Sequence, residues 1–139
     1  MAQAVGAIFM SRTTGRILLN LRSDTVTYSR YWGFVGGKVE KNETIEQALR
    51  REINEEIGEH SLKDINDIIP FDEFHTNNNK FVYYSYLIMV DDEFIPELNS
   101  ESDGYAWVHV GCWPKPLHPG AKATLSSDST LAIFGQFCK

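Results

Sequence analysis

The sequence predicts an α/β fold in which a mixed β-sheet is sandwiched between α-helices. Three observations carry this expectation. Apolar runs of strand length lie on both sides of one strongly patterned helix, that helix has clear start and stop signals, and a second helical pattern closes the chain. At 139 residues the chain is expected to form one domain over 1–139, long enough to bury a core without disulfides.

Ala4 to Met10 and Ile17 to Leu21 read as two apolar strands around the polar turn Ser11-Arg12-Thr13-Thr14-Gly15. Ser23 to Tyr31 is a polar loop ending in aromatics, and Trp32-Gly33-Phe34-Val35 is a short apolar strand running into Gly36-Gly37. The central helix begins at Thr44, because Thr44-x-x-Gln47 fits a capping box. Gly58 stands where a left-handed C-cap would end it. Ile68 to His75 and Phe81 to Val90 pair across Thr76–Lys80, and Tyr105 to Val110 is a further strand. Ser127 to Phe137 is the terminal helix, with Leu131, Phe134 and Phe137 or Cys138 turned inward. An apolar N-terminal strand can extend a sheet or form the edge of a homodimer, and nothing in the sequence chooses between them.

Composition excludes some functions. A net charge of −6 argues against a broad duplex nucleic-acid footprint, which needs a basic face, but leaves room for nucleotides at a metal site. No stretch approaches the roughly 20 apolar residues of a membrane span, and Met1 to Met10 lacks a signal-peptide pattern. Cys112 and Cys138 are far apart without metal-ligand spacing, as expected of unpaired thiols in the cytoplasm.

Chemistry concentrates between Gly37 and Gly58. Ile45, Ala48, Leu49, Ile53 and Ile57 form an apolar stripe on the central helix. Glu52 and Glu56, one turn apart, project within that stripe, and Glu55 lies at its edge. Carboxylates crowded at a core margin repel one another and are poorly solvated, so they need a counter-charge. Only Arg51 is near in sequence, which leaves a divalent cation as the remaining partner. Oxygen-only ligands point to Mg²⁺, with Mn²⁺ as the alternative, rather than to zinc. The glycine pair lets backbone approach this cluster closely. The competing view, an amphipathic surface helix with solvated glutamates, explains the charges but not their spacing.

That spacing is Gly37, five residues, Glu43, seven residues, then Arg51-Glu52-Ile53-Asn54-Glu55-Glu56-Ile57-Gly58. It resembles the signature of the Nudix hydrolases, in their MutT-like form. The pattern ends in an apolar residue where this chain has Glu59, a packing position remote from the chemistry. The resemblance implies an α/β/α Nudix fold and Mg²⁺-dependent cleavage of a pyrophosphate bond in a nucleoside diphosphate linked to another group. It implies Glu55 and Glu56 as principal metal ligands, Glu52 as a further ligand or the general base, and a Gly37 carbonyl on the metal. Arg51 would orient the glutamates, with Glu43 as its partner or the loop's. A further carboxylate from outside the signature is expected at Glu101, with Glu97 as the alternative.

Substrate contacts are expected from Arg22, which ends the second strand, from Lys38 beside the glycines, and from Trp32, with Tyr28 and Tyr31 as other stacking candidates. The histidines at 60, 75, 109 and 118 lack ligand spacing, and no serine or cysteine has a recognisable base partner. Hydrolysis of (d)NTPs to nucleoside monophosphate and pyrophosphate is the first expectation. ADP-ribose, dinucleoside polyphosphate or nucleotide-sugar cleavage follows. A non-catalytic nucleotide-sensing module and an isoprenoid-diphosphate isomerase are the rivals of other classes. The first would favour loss of a metal-site glutamate, and the second a cysteine near the glycine loop; neither is seen.

Overall fold

The computed structural model describes residues 2–58 and 65–137. Its strands are β1 (Ala2–Ser11), β2 (Ile17–Arg22), β3 (Trp32–Gly33), β4 (Val35–Lys38), β5 (Ile65–His75), β6 (Phe81–Val90) and β7 (Ser102–Val108). The helices are α1 (Ile45–Ile57), α2 (Pro119–Leu125) and α3 (Asp128–Phe137). The strands make a single sheet in the order β3-β2-β1-β6-β5, with β4 added to β1 and β7 to β2.

β1 and β6 run parallel, in register from Ala2 opposite Phe81 to Ser11 opposite Val90, while the other pairings are antiparallel. The sheet is therefore mixed, as expected. Continuous apolar runs in β1 and β6 mark strands buried on both faces, and alternation along each run divides the core in two. Val5, Ala7, Phe9, Ile88 and Val90 face α1, packing on Ala48, Leu49, Ile53 and Ile57. Ile8, Met10, Leu87 and Met89 face the other way, onto Leu125 of α2 and Phe134 of α3. Because β1 is paired on both sides, it presents no edge to a second copy.

Several expected boundaries move, each for a local reason. The Trp32–Val35 strand is two: β3 pairs with β2, and β4, beginning after Phe34, pairs with β1 and carries on through both glycines to Lys38. The last strand begins at Ser102 and stops at Val108, where its partner β2 runs out at Ile17. α1 starts as predicted, with the Thr44 side chain and Gln47 exchanging hydrogen bonds in a capping box. Gly58 follows it with φ 99° and ψ 146°, a positive φ but not the left-handed helical cap expected. The segment Leu117–Gly120 leads into α2: His118 Nδ1 accepts from the Gly120 N–H at 3.0 Å, and Pro119 takes the first helical position.

In α3 the inward residues are Thr130 and Phe134, whereas Leu131 is 54% exposed. A hydrogen bond between Thr130 Oγ1 and Ser127 Oγ at 2.8 Å lets that polar side chain be buried, which turns Leu131 outward. Phe137 packs on the second core as expected. Cys138, His60 and Glu59 lie outside the described residues. Among those described, no helix is long and apolar enough to cross a membrane.

Candidate active site

Close packing between α1 and β4 builds the site. A Cβ at Gly36 would press on the Val5 carbonyl oxygen and lie 2.9 Å from Gly6 Cα. One at Gly37 would press on Glu52 Oε1 and lie 2.6 Å from its Cδ. Only glycines let this strand pass between β1 and the helix carboxylates. The Gly36 N–H donates to Glu56 Oε2 at 3.0 Å.

Glu52 and Glu56 are 8% and 7% exposed, although both are carboxylic acids on an otherwise apolar helix face. Burial first, and then the hydrogen bond and charge of Glu52, push the Glu56 pKa up to about 10; the charge of Glu101 adds to the effect, and the Gly36 N–H opposes it. Burial and the neighbouring Glu52 carboxylate thus favour the neutral form of Glu56, because a second charge beside the first in low dielectric is costly.

Arg51 organises the other acids. It grips Glu43 with Nε at 2.7 Å and Nη2 at 3.0 Å, and its Nη1 donates to Glu52 at 2.8 Å and to Glu55 at 3.3 Å. Nη2 also donates to the Lys38 carbonyl at 2.9 Å, tying helix to strand. The Arg51 hydrogen bond, helped by the Glu40 backbone, holds the Glu43 pKa down to about 2, and the same contact with Glu43 raises the pKa of Arg51.

Beside this cluster lies a cavity of about 220 Å³, whose walls include Gly36, Gly37, Glu56, Glu101 and Arg22. Glu101 reaches it from the loop before β7, where its N–H is tied to Asn99 Oδ1 at 3.0 Å and its carbonyl accepts from Ser23 N–H at 2.9 Å. Arg22 lines the cavity, and its Nε donates to the Thr27 carbonyl at 2.7 Å. So Gly37, Glu52, Glu56, Glu101 and Arg22 are brought together.

The remaining predicted residues sit elsewhere. Glu55 points outward beside Arg51, with its side chain 49% exposed. Lys38 is exposed, on a separate hollow with Glu40 and Glu43. Trp32 is half-buried against the second core, its backbone bonded to Pro116 and His118. Tyr28 meets Tyr31 and His118 edge-on, with ring centroids 5.4 and 4.8 Å apart.

The donors available to a cation are all oxygens, two of them buried carboxylates that a cation would allow to ionise together; this suits a hard divalent ion. Among the described residues, no three acidic, imidazole or thiol groups converge into a closed shell. Arg51 draws Glu52 and Glu55 to itself, and Gly36 anchors Glu56.

Sequence reasoning did not single out Asn20, Val26, Phe34 and Ser102, which also line the cavity. Asn20 left a usable trace, as the one polar residue inside the apolar run Ile17-Leu18-Leu19-Asn20-Leu21.

Residues 1–126 match the family model of the NUDIX domain. The nucleoside triphosphatase NudI of Escherichia coli O139:H28 is 35% identical over 102 residues, covering 66% of this chain and 71% of that protein. Among solved structures, the E. coli dihydroneopterin triphosphate pyrophosphohydrolase superposes with a TM-score of 0.66 at 21% identity, covering 98% of this chain and 94% of its own. RenU, a Nudix hydrolase from M. smegmatis, gives 0.72 at 20% identity, covering 95% and 84%. These two likenesses concern the fold. With the family model spanning most of its length and the glycine–glutamate site folded together, this chain belongs to the Nudix hydrolase family and is a hydrolase.

Proposed function

We propose that this protein is a Mg²⁺-dependent nucleoside triphosphate pyrophosphohydrolase that releases a nucleoside monophosphate and pyrophosphate, with Mn²⁺ able to substitute. The observation that carries the reading is the buried Glu52–Glu56 pair at a cavity with Glu101 in its wall, a concentration of acid that calls for a cation. The relative named nucleoside triphosphatase supports this substrate class.

Glu52, Glu55, Glu56, Glu101 and the Gly37 carbonyl would hold the metal, with Glu55 turning in from its exposed position. When bound, the cation neutralises phosphate charge and acidifies water. The chain's own residues do the rest. Gly36 fixes Glu56 through its N–H, and Arg51 fixes Glu52. A glutamate of the cluster accepts the proton of the attacking water, and Arg22 receives a phosphate oxygen on exchanging its Thr27 contact.

A hydrolysis panel in Mg²⁺, with products resolved by phosphorus NMR, tests this reading. It compares canonical and 8-oxo (d)NTPs with ADP-ribose, NADH, diadenosine polyphosphates and GDP-sugars. Turnover of (d)NTPs to monophosphate and pyrophosphate, abolished in Glu56→Gln, is the expected result. Turnover confined to another class would replace the substrate, and activity surviving Glu56→Gln would remove the metal assignment.

A further inference from the structure

A nucleoside triphosphate whose phosphates enter the cavity must lay its base somewhere else. The space beside the acids is about 220 Å³, whereas pockets that enclose a drug-sized ligand run to roughly 300–1,000 Å³. The base therefore falls on the surface outside. Among the described residues, the exposed large hydrophobic side chains are Tyr28, Phe74, Ile95, Tyr105 and Leu131. Of these, Tyr105 shares a strand with Ser102 of the cavity wall, and Tyr28 shares a loop with Val26 of that wall. Tyr28 has further features that mark it.

Its ring is met edge-on by Tyr31 and His118, at interplanar angles of 70° and 72°, so neither neighbour stacks on it, and the residue stays 48% exposed. Its backbone is strained as well: φ is 52° at Tyr28 and 66° at Arg30, left-handed values that such side chains adopt at a cost. A conformation of this kind persists only where the surroundings impose it. Here the Arg22 carbonyl accepts the Arg30 N–H at 2.8 Å, Ser23 Oγ donates to the Ser100 carbonyl at 2.6 Å, and Arg30 pairs with Asp103 at 2.6 Å. The pinned loop thus holds a half-exposed ring against His118. That histidine is itself fixed, because its Nδ1 accepts the Gly120 N–H at the start of α2. Its Cβ and Arg22 Cδ lie 3.6 and 3.8 Å from where a Cβ would stand on Gly33, so the two side chains flank one glycine. Burial, and then the Arg22 charge, hold the His118 pKa below its ordinary 6.5. Tyr28, His118 and Arg22 are therefore contiguous, and Arg22 is a wall of the cavity.

We propose that Tyr28 is a substrate-binding residue whose ring stacks on the nucleobase outside the cavity, and that His118 is the positioning residue that holds this ring. The inference rests on the reading of the protein as a nucleoside triphosphate hydrolase, and deepens it by placing the base. Every base has a π-face, so the contact raises affinity without choosing among bases.

The test measures kcat and KM for the four canonical dNTPs in Mg²⁺, in the wild type, Tyr28→Phe, Tyr28→Asn and His118→Asn, with the Tm of each. Tyr28→Phe keeps the ring and leaves KM within about twofold. Tyr28→Asn removes it, and KM rises at least about fivefold for every base while kcat stays within about twofold, the pattern of lost uniform binding. Asparagine tolerates the left-handed conformation, so relief of strain offsets the lost ring contacts and Tm stays within about 4 °C. His118→Asn keeps a side-chain acceptor at the helix N-cap, and with it the Tm, while KM rises in the same direction by a smaller factor. Should Tyr28→Asn fold poorly, Tyr28→Leu makes the same comparison with apolar bulk and no π-face.

An unchanged KM in Tyr28→Asn, beside a wild type that hydrolyses dNTPs, overturns the inference alone. So does a joint fall of kcat and Tm, which makes the tyrosine structural, or an equal rise of KM in Tyr28→Phe, which assigns the effect to the hydroxyl. An unchanged KM in His118→Asn overturns the positioning role. A wild type that turns over no nucleoside triphosphate removes the proposed function and this inference together.

Discussion

Adjacent glycines on β4 are expected to fail in different ways when each is given one methyl group. At Gly36 the added carbon meets backbone: the Val5 carbonyl oxygen, Gly6 Cα at 2.9 Å and Val5 C at 3.1 Å. None of these yields without moving β1, the strand on which the sheet is built. Overpacking of a core costs about 1–3 kcal/mol, and a backbone obstacle places Gly36→Ala at or above the top of that range. For a chain of this size each kcal/mol lowers Tm by about 3–4 °C, so a fall of roughly 9–12 °C is expected. At Gly37 the carbon meets the Glu52 carboxylate, Cδ at 2.6 Å and Oε2 at 2.8 Å, which can swing aside at the cost of its 2.8 Å contact with Arg51. Gly37→Ala should therefore lose only about 1 kcal/mol, or some 3–4 °C. Its kcat, however, should drop about a hundredfold, the usual penalty for displacing a positioned group by about an ångström. Calorimetry and steady-state kinetics on the two variants decide the matter. A Gly37→Ala protein that melts below Gly36→Ala, or keeps kcat within about threefold of wild type, would refute the assignment of Gly37 to the site and Gly36 to the fold.

Other outcomes follow from the same contacts. Mg²⁺ at about a hundred times its Kd should raise the wild-type Tm by roughly 8–11 °C, a linkage of about 2.7 kcal/mol; Glu56→Gln should abolish that shift, and chelation should return the wild type to its lower Tm, both read by calorimetry. Arg51→Lys keeps a charge but not the fork that holds Glu43 and Glu52 together, so kcat should fall at least about tenfold with a smaller loss in Tm than Arg51→Ala. In acid, burial raises the Glu93 pKa, but hydrogen bonds from Arg16 and Thr14 outweigh it and hold the carboxyl below its ordinary 4.5. A depressed carboxylate contributes stability that is complete above its unfolded pKa and is lost as pH falls through the folded one. Glu93→Gln should accordingly lower Tm at pH 7 and flatten its decline below pH 4.5, measured by melts across pH.

Which parts of the site could be read from the sequence depended on how locally they are encoded. The stripe on α1 was legible because helical geometry alone puts Glu52 and Glu56 on the face of Leu49 and Ile53, and a capping box is a contact between residues three apart. Arg51 and Glu43 were legible as partners for the same reason. Glu55 was read with its neighbours, yet one further residue of rotation carries it out to solvent.

Contacts across the sheet were decided elsewhere. That Trp32 would pack on the second core, that Lys38 would offer its carbonyl rather than its amine, and that Thr130 would displace Leu131 from the interior all depend on neighbours remote in the chain. By itself the sequence determined the helix, its acids and the glycine loop, and through their spacing the family. The tertiary structure alone decided that Glu101 and Asn20, 45 residues after and 36 before Glu56 in the numbering, share one cavity with it. The physical reason is that strand pairing sets which side chains meet across a sheet: β7 lies along β2, and neither strand records its partner in its own pattern.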